Sequence, residues 1–325
     1  MITKKIIFLV GPTAVGKSKV AVRLAKVLNA EIISCDSMQV YKGMDIGTQK
    51  PSLELRKEVR HHMIDILTPA QEFNAADFRK RALRIIREIH NRNKIPLLVG
   101  GTGLYMKVLI DGLFPSPPKD EKLRRKLYME EKKRCGSLYE KLERIDPATA
   151  KKIHPNDTKK IVRALEVYYT TKKRISELKG KTRPLSDKFD VTIFGLIRPR
   201  QELYERIDGR VDRMFEAGFL NEVKKLSKKR LSVTAAQAIG YKEAIEYLRD
   251  KDNKAKEGLK RKDKGKIRED KGMIREDKGV EGLDKGIEGL KELIKKNTRR
   301  YAKRQLTWFR RDKRVVWVDI SGVDG

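Results

Sequence analysis

At 325 residues the chain is long enough to bury a sizeable core, and it reads as a main domain with an insertion. Lys and Arg number 77 against 45 Asp and Glu, a net charge of +32 that attracts a polyanion, nucleic acid before an anionic membrane, although solvation or thermal adaptation also produces basic surfaces. No apolar run is long enough to span a bilayer, which argues against a membrane protein. Cys35 and Cys135 lack metal-ligand spacing and fit a reducing, cytoplasmic setting.

Lys4 and Lys5 lead straight into Ile6-Ile7-Phe8-Leu9-Val10, a short apolar run that reads as a buried strand rather than a secretion signal. Gly11-Pro12-Thr13-Ala14-Val15-Gly16-Lys17-Ser18 follows and fits G-x-x-x-x-G-K-[ST], the nucleotide-binding and ATP-binding phosphate loop. Lys19 to Leu28 then carries Val20, Leu24, Val27 and Leu28 at helical spacing, so the loop joins a strand to a helix, the context the motif requires. Gly11 and Gly16 allow the backbone N–H groups to turn inward, Lys17 supplies a point charge, and Ser18 is placed to ligand a phosphate-bound Mg²⁺. The loop alone leaves open whether the phosphate belongs to ATP, to a pyrophosphate ester or to something else.

Glu31 to Ser34 reads as a second strand, ending at Asp36. In a parallel α/β sheet ligands lie beyond the carboxyl ends of strands, so Asp36 shares a rim with the phosphate loop. A carboxylate there suits Mg²⁺ held through water, proton acceptance, or capping of the next segment. Met63 to Leu67 is a third strand candidate. His61 and His62 before it would face opposite ways on an extended strand, which favours structural roles over a metal pair. Asn74 to Asn91 reads as an amphipathic helix with Phe78, Ala82, Ile85 and Ile89 on one face. Ile95 to Val99 is another buried strand, and Gly100-Gly101-Thr102-Gly103-Leu104-Tyr105 at its end reads as a second rim loop whose N–H groups and Thr102 hydroxyl suit a phosphate oxygen, in preference to a mere tight turn into the next helix. A helix from Leu104 to Ile110 follows.

Pro115, Pro117 and Pro118 mark a boundary. Between Pro115 and Leu196 the chain carries 22 Lys+Arg against 12 Asp+Glu, a net +10, and its patterning is helical: Lys122 to Arg134, Leu138 to Ile145, a short helix to Ile153, and Thr158 to Thr171. Lys159, Lys160 and Arg163 lie within one turn, as a phosphate-tracking patch or a solvated charged face would place them. Val191 to Ile197 returns to the sheet. The helix after Pro199 sets Arg206, Arg210 and Arg213 on one face, where the three charges repel one another unless an anion bridges them. Gly218-Phe219 ends it, and a further helix runs to Leu248.

In 251–290 Asp-Lys-Gly recurs every seven residues, at 263, 270, 277 and 284. Met273, Val280, Leu283, Ile287, Leu290 and Ile294 follow heptad spacing, yet a glycine in every heptad costs roughly 1 kcal/mol each against alanine in a helix. The tract reads as an expanded insertion, mobile at its start and helical towards Ile287. Asn297 to Arg311 interleaves basic residues with Tyr301, Trp308 and Phe309, a composition suited to phosphates and stacked bases, with docking on the core as the aromatics' main task. Val315 to Asp319 is a last strand. The fold expected is α/β, a P-loop NTPase-like parallel sheet flanked by helices from 1–115 and 191–325, with an inserted all-helical domain at 116–190.

Taken in order, these motifs resemble the tRNA dimethylallyltransferase (tRNA isopentenyltransferase) family in its bacterial form, from residue 5 to about 319 except for the repeat tract. The resemblance rests on residues 11–18, Asp36-Ser37-Met38-Gln39-Val40-Tyr41, Met44 to Thr48, Gly100 to Tyr105, His154-Pro155-Asn156-Asp157, Arg163 to Val167, Gln237 to Lys242 and Arg300 to Arg310. It implies transfer of a dimethylallyl group from dimethylallyl diphosphate to N6 of adenosine 37 beside the tRNA anticodon, with Mg²⁺-bound diphosphate as leaving group. Asp36 is then the general base, Lys17, Thr102 and Arg210 stabilise charge on the diphosphate, and Ser18 holds Mg²⁺. The same resemblance assigns tRNA contacts to Asp36, Ser37, Met38, Gln39, Thr102, Arg124, Lys159, Lys160, Ile161, Val162, Arg163, Gln237, Ala238, Ile239, Gly240, Tyr241 and Lys242. The resemblance also implies that the target adenine would flip out of its stack into a channel between core and insertion.

Two positions depart from the family pattern: Ser18 stands where Thr is commoner, and Lys172 where Gly usually follows Thr171. The partners expected are the tRNA anticodon stem-loop and dimethylallyl diphosphate, with no membrane, acting as a cytoplasmic monomer. Three rivals make different predictions. A small-molecule kinase would consume ATP and ignore tRNA. A prenyltransferase acting on free adenine nucleotides would not need the basic charge or the helical insertion. A non-catalytic RNA-binding protein would not need Asp36 and Thr102 beside the loop.

Overall fold

A computed structural model describes residues 4–114, 117–179, 182, 184–263 and 286–323, with side chains described for all of these but 179 and 254–263. Its centre is a six-stranded sheet of order β3-β2-β4-β1-β5-β6, in which every pairing is parallel. The strands are β1 (Lys5–Val10), β2 (Ala30–Ser34), β3 (His61–His62), β4 (Ile95–Gly100), β5 (Asp190–Ile197) and β6 (Val315–Asp319). Ile6, Phe8, Ile33, Leu97 and Leu98 are buried, the pattern of strands covered on both faces. Because β1 lies between β4 and β5, the loops that leave β1, β4 and β2 open on the same carboxyl edge, the usual ligand crevice of such sheets.

Helices cover the sheet. They include α1 (Lys17–Val27), α2 (Leu53–Glu58), α3 (Ala75–Asn91) and α4 (Gly103–Ile110). Asn74 starts α3 with a reciprocal capping box to Asp77, and Phe78, Ala82, Ile86 and Ile89 are its buried face. After β5 come α10 (Arg200–Glu216), α11 (Phe219–Ser227), α12 (Val233–Ala236), α13 (Tyr241–Asp263) and α14 (Gly286–Arg310).

The chain divides into two compact units, 1–106 with 189–325, and 107–188. The second contains α5 (Glu121–Lys133), α6 (Ser137–Ile145), α7 (Pro147–Ala150), α8 (Thr158–Thr171) and α9 (Ile175–Lys179) around Leu127, Leu138, Leu142, Ile161 and Leu165. Glu166 is fully buried there. Burial by itself pushes its carboxyl up, but Arg124 and Arg163, with the amide of Asp120, hold it down at about 2. Arg124 meets it with two hydrogen bonds of 2.8 Å.

Most expected elements are present, and the differences have local causes. Met63 to Leu67 is not a strand: Met63 and Asp65 have positive φ, 67° and 56°, which breaks an extended run, so the strand ends at His61–His62 and only Leu67 makes an isolated bridge, to Tyr41. The two histidines take separate partners, His61 the carbonyl of Val59 and His62 the carboxylate of Glu31. Helices α2 and α11 add to the sequence reading, α11 being set off by Gly218 at φ 88°. Helix α13 already occupies 251–263, the start of the tract expected to be mobile, and α14 carries Leu290 and Ile294 buried. Met273, Val280 and Leu283 lie outside the described residues. Helix α8 ends at Thr171. Lys172 takes the left-handed conformation, φ 58°, that a glycine there would adopt at lower cost.

Candidate active site

The loop from Gly11 to Ser18 wraps as its glycines predict. Gly11 has φ 147°, and a side chain there would meet the carbonyl of Leu196 at 2.7 Å; Gly16 has φ 111°. Gly16 is also the N-cap of α1 and offers no side-chain cap, so the helix presents unsatisfied amides and the positive end of its dipole to the cavity above. That cavity measures about 720 Å³ and is lined by Thr13, Lys17, Ser18, Asp36, Arg206 and Arg210 among others.

Two helices remote in sequence clamp the loop. From α10, Arg206 donates to the carbonyl of Ala14 and Arg210 to Thr13 Oγ1, both at 3.0 Å, and Arg198 just before it donates to the carbonyl of Val15 at 2.9 Å. Arg213 joins Arg206 and Arg210 on the cavity wall, so the three-arginine face expected from spacing is assembled at the phosphate loop. From α14, Gln305 accepts from the amide of Thr13 at 2.8 Å and donates to the carbonyl of Gly101 at 2.9 Å. This buried amide ties the phosphate loop to the second glycine loop. A side chain at Gly101 would come within 2.1 Å of it.

The cationic pocket is electrostatically loaded. Lys17 Nζ donates to the carbonyls of Gly11 and Pro12. Removal from water, then Arg210, bring its pKa down from 10.5 to about 7, with Asp36 acting in the other direction. Arg210 is lowered to about 10 by burial and by Arg213, again opposed by Asp36. An entering anion would relieve both costs, so the charge at this end of the cavity suits a multiply charged phosphate group.

Asp36 lines the same cavity. One carboxylate oxygen, Oδ1, accepts from the amides of Met38 at 2.8 Å and Gln39 at 3.3 Å; among the described residues Oδ2 has no hydrogen-bond partner. Asp36 therefore both caps its loop and keeps an oxygen available to a second ligand. Thr102 follows Gly100 and Gly101 of the cavity wall, and its hydroxyl accepts from the amide of Ser37 at 3.2 Å, so it joins the glycine loop to the Asp36 loop. Tyr301, pushed up mainly by burial, contacts Thr102 and Gln305 and lies on the cavity wall. Trp308, half-exposed, packs over Gly103, while Phe309 is buried in the core.

The remaining expected contacts fall into two classes. Lys159, Lys160, Gln237 and Lys242 are exposed, and Ser37, Met38 and Ile239 partly so. Ile161, Val162, Ala238 and Tyr241 are buried, so their side chains face the interior, and Gly240 turns the chain at φ 88°. Arg124 and Arg163 are engaged with Glu166, and Gln39 with Ser34 and the carbonyls of Thr48 and Gln49. Gln305, Arg198 and Glu222 were not singled out from sequence, since each acts on backbone groups far away in the chain, for which no spacing signal exists.

Ser18 also lines the cavity, and among the described residues no group of three or more His, Cys, Asp or Glu is placed to hold a metal ion. One hydroxyl beside a phosphate cradle fits a Mg²⁺ ion that arrives with a phosphate ligand and keeps waters, rather than an ion caged by protein.

A family model described as IPP transferase matches residues 39–312. A tRNA dimethylallyltransferase of Geobacter sulfurreducens is 44% identical over 318 residues, covering 97% of this chain and 92% of the relative. One from Carboxydothermus hydrogenoformans is 45% identical over 320 residues, covering 98% and 92%. Among solved structures, the full-length tRNA isopentenylpyrophosphate transferase of Bacillus halodurans superposes with a TM-score of 0.66 at 39% identity, covering 99% of this chain and 91% of that one. A eukaryotic dimethylallyltransferase acting on tRNA gives 0.73 at 31% identity, covering 98% and 74%.

Proposed function

This chain belongs to the tRNA dimethylallyltransferase family of transferases, and we propose that it transfers the dimethylallyl group of dimethylallyl diphosphate to N6 of adenosine 37, beside the anticodon of tRNA. The observation that carries this reading is one cavity with a cationic phosphate cradle and a carboxylate, Asp36, on its wall. A bond forms between N6 and the allylic carbon, the carbon–oxygen bond to diphosphate breaks, and the N6 proton passes to Asp36. An exocyclic amine is a weak nucleophile, so a carboxylate that orients it and takes its proton assists the step. Lys17, Arg206, Arg210 and the amides at the start of α1 receive the charge that gathers on the departing diphosphate. Thr102 acts by holding Ser37 and so the turn that carries Asp36. Ser18 would hold Mg²⁺, which when bound neutralises part of the diphosphate charge. The exposed Lys159 and Lys160, and Gln237 and Lys242, are the side chains we assign to the tRNA backbone, with the buried Ile161, Val162, Ala238 and Tyr241 supporting them from beneath.

The test is incubation with labelled dimethylallyl diphosphate, Mg²⁺ and unmodified tRNA, followed by nucleoside analysis. Label on adenosine is expected; ATP hydrolysis without label would refute the reading. Asp36→Asn is the sharper variant because an amide oxygen preserves the bonds to Met38 and Gln39 while removing the base. Turnover should collapse and tRNA affinity survive; unchanged turnover would remove Asp36 from the base role.

A further inference from the structure

The loop between Asp36 and Lys50 is held at its far end by one carboxylate outside the machinery described above. Glu222, on α11, accepts from the amides of Asp45 and Ile46 at 2.9 Å each, from the amide of Gly47 at 3.3 Å, and from the hydroxyl of Tyr241 at 2.5 Å. Three successive N–H groups converging on one carboxylate form an anion-binding concavity that the protein fills with its own side chain. Tyr241 closes over it. A side chain at Gly47 would lie 2.4 Å from the Tyr241 ring and 2.6 Å from Phe219, so only glycine admits this packing.

From this turn a continuous set of contacts leads back to Asp36. Thr48 Oγ1 donates to the carbonyl of Met44, and the carbonyls of Thr48 and Gln49 accept from Gln39 Nε2. Gln39 Oε1 is fixed by Ser34 at the end of β2, and the amide of Gln39 is one of the two that hold Asp36 Oδ1. Lys50 braces the same loop through the carbonyl of Tyr41 and the carboxylates of Asp45 and Asp65.

We propose that Glu222 is a positioning residue: it fixes the 45–47 turn, and through Gln39 the orientation of Asp36, and it joins that loop to the 237–242 segment through Tyr241. The proposal rests on the function stated above. It assigns Glu222 to the setting of the acceptor-side carboxylate and not to diphosphate binding, because none of its partners lines the phosphate cradle.

The variants are Glu222→Gln, which turns one acceptor into a donor facing N–H groups, Glu222→Asp, and Tyr241→Phe, which removes a single bond and leaves the three amides held. In Glu222→Gln, kcat with tRNA should fall roughly tenfold to a hundredfold, the range expected for a small misplacement of a reacting group. KM for dimethylallyl diphosphate should stay within about twofold of wild type. Glu222→Asp should recover part of the loss, and Tyr241→Phe should show a smaller decrease of the same kind. Hydrogen exchange supplies a readout independent of turnover: amides 45–47 should lose protection in Glu222→Gln, and so should those of Met38 and Gln39. Loss of protection confined to 45–47, or an unchanged kcat in a folded Glu222→Gln variant, overturns the proposal alone. A wild-type protein that transfers no label to tRNA overturns the function reading and this proposal with it.

Discussion

Filling the phosphate cradle should take up a proton. With the cavity free of ligand, burial and Arg210 hold the Lys17 ammonium at a pKa of about 7. A diphosphate brings negative charge next to it and restores the charged form, so the bound state favours protonated Lys17. The sign follows: affinity is full below pH 7 and declines as pH rises through 7. The decline approaches tenfold per unit, or about 1.4 kcal/mol, until the pKa of the bound state is reached. At pH 8 a group with this pKa is only about one-tenth protonated, so binding draws close to one proton from solution; at pH 6 it draws roughly a tenth of one. Titration calorimetry with inorganic diphosphate and Mg²⁺, repeated in buffers of different ionisation heat, counts those protons directly. The ligand's own titration is common to every protein tested, so Lys17→Arg, whose charge is fixed, supplies the reference. Equal proton uptake by wild type and Lys17→Arg at pH 8, or a wild-type affinity that is flat from pH 7 to 9, would refute the argument.

Gly100→Ala would place its new carbon 2.3 Å from the carbonyl oxygen of Cys35, a backbone atom that cannot swing aside; a loss of about 3 kcal/mol in urea unfolding is expected. Glu166→Gln would leave Arg124 and Arg163 facing a neutral amide and cost roughly 3 kcal/mol at pH 7. Because the carboxyl is held near 2 in the fold against an ordinary 4.5, that difference should be complete above pH 4.5 and fade as pH falls towards 2, as unfolding of both proteins across that range would show. Lys172→Gly should stabilise the protein by about 1 kcal/mol, since glycine removes the cost of a left-handed Cβ at the end of α8; an unchanged or lower urea midpoint would contradict this.

The features that local pattern encodes were legible in the sequence. The strand–loop–helix of the phosphate site is written in consecutive residues, because wrapping a phosphate requires glycines at Gly11 and Gly16 and a cation at Lys17. The arginine face of α10 follows from helical periodicity, and the N-terminus of α3 from Asn74 and Asp77. Met63 to Leu67 misled for a local reason of another kind: an apolar run does not disclose that two of its residues sit at positive φ. Thr102 was legible as a rim residue, but its partner, the amide of Ser37, was not.

What tertiary structure decided was which of these groups meet. Gln305 lies 292 residues from Thr13, and Glu222 lies 175 to 177 residues from the three amides it holds. Both bind main-chain atoms, which every residue carries, so no sequence pattern marks the partner. The sequence on its own established a phosphate loop, a candidate base and a basic surface. The lowered pKa of Lys17 and the unequal hydrogen bonding of the two Asp36 oxygens arise only when helices α10 and α14 and the 36–50 loop are packed against that phosphate loop. Burial and the charges brought near by folding, rather than any residue's own chemistry, set those properties.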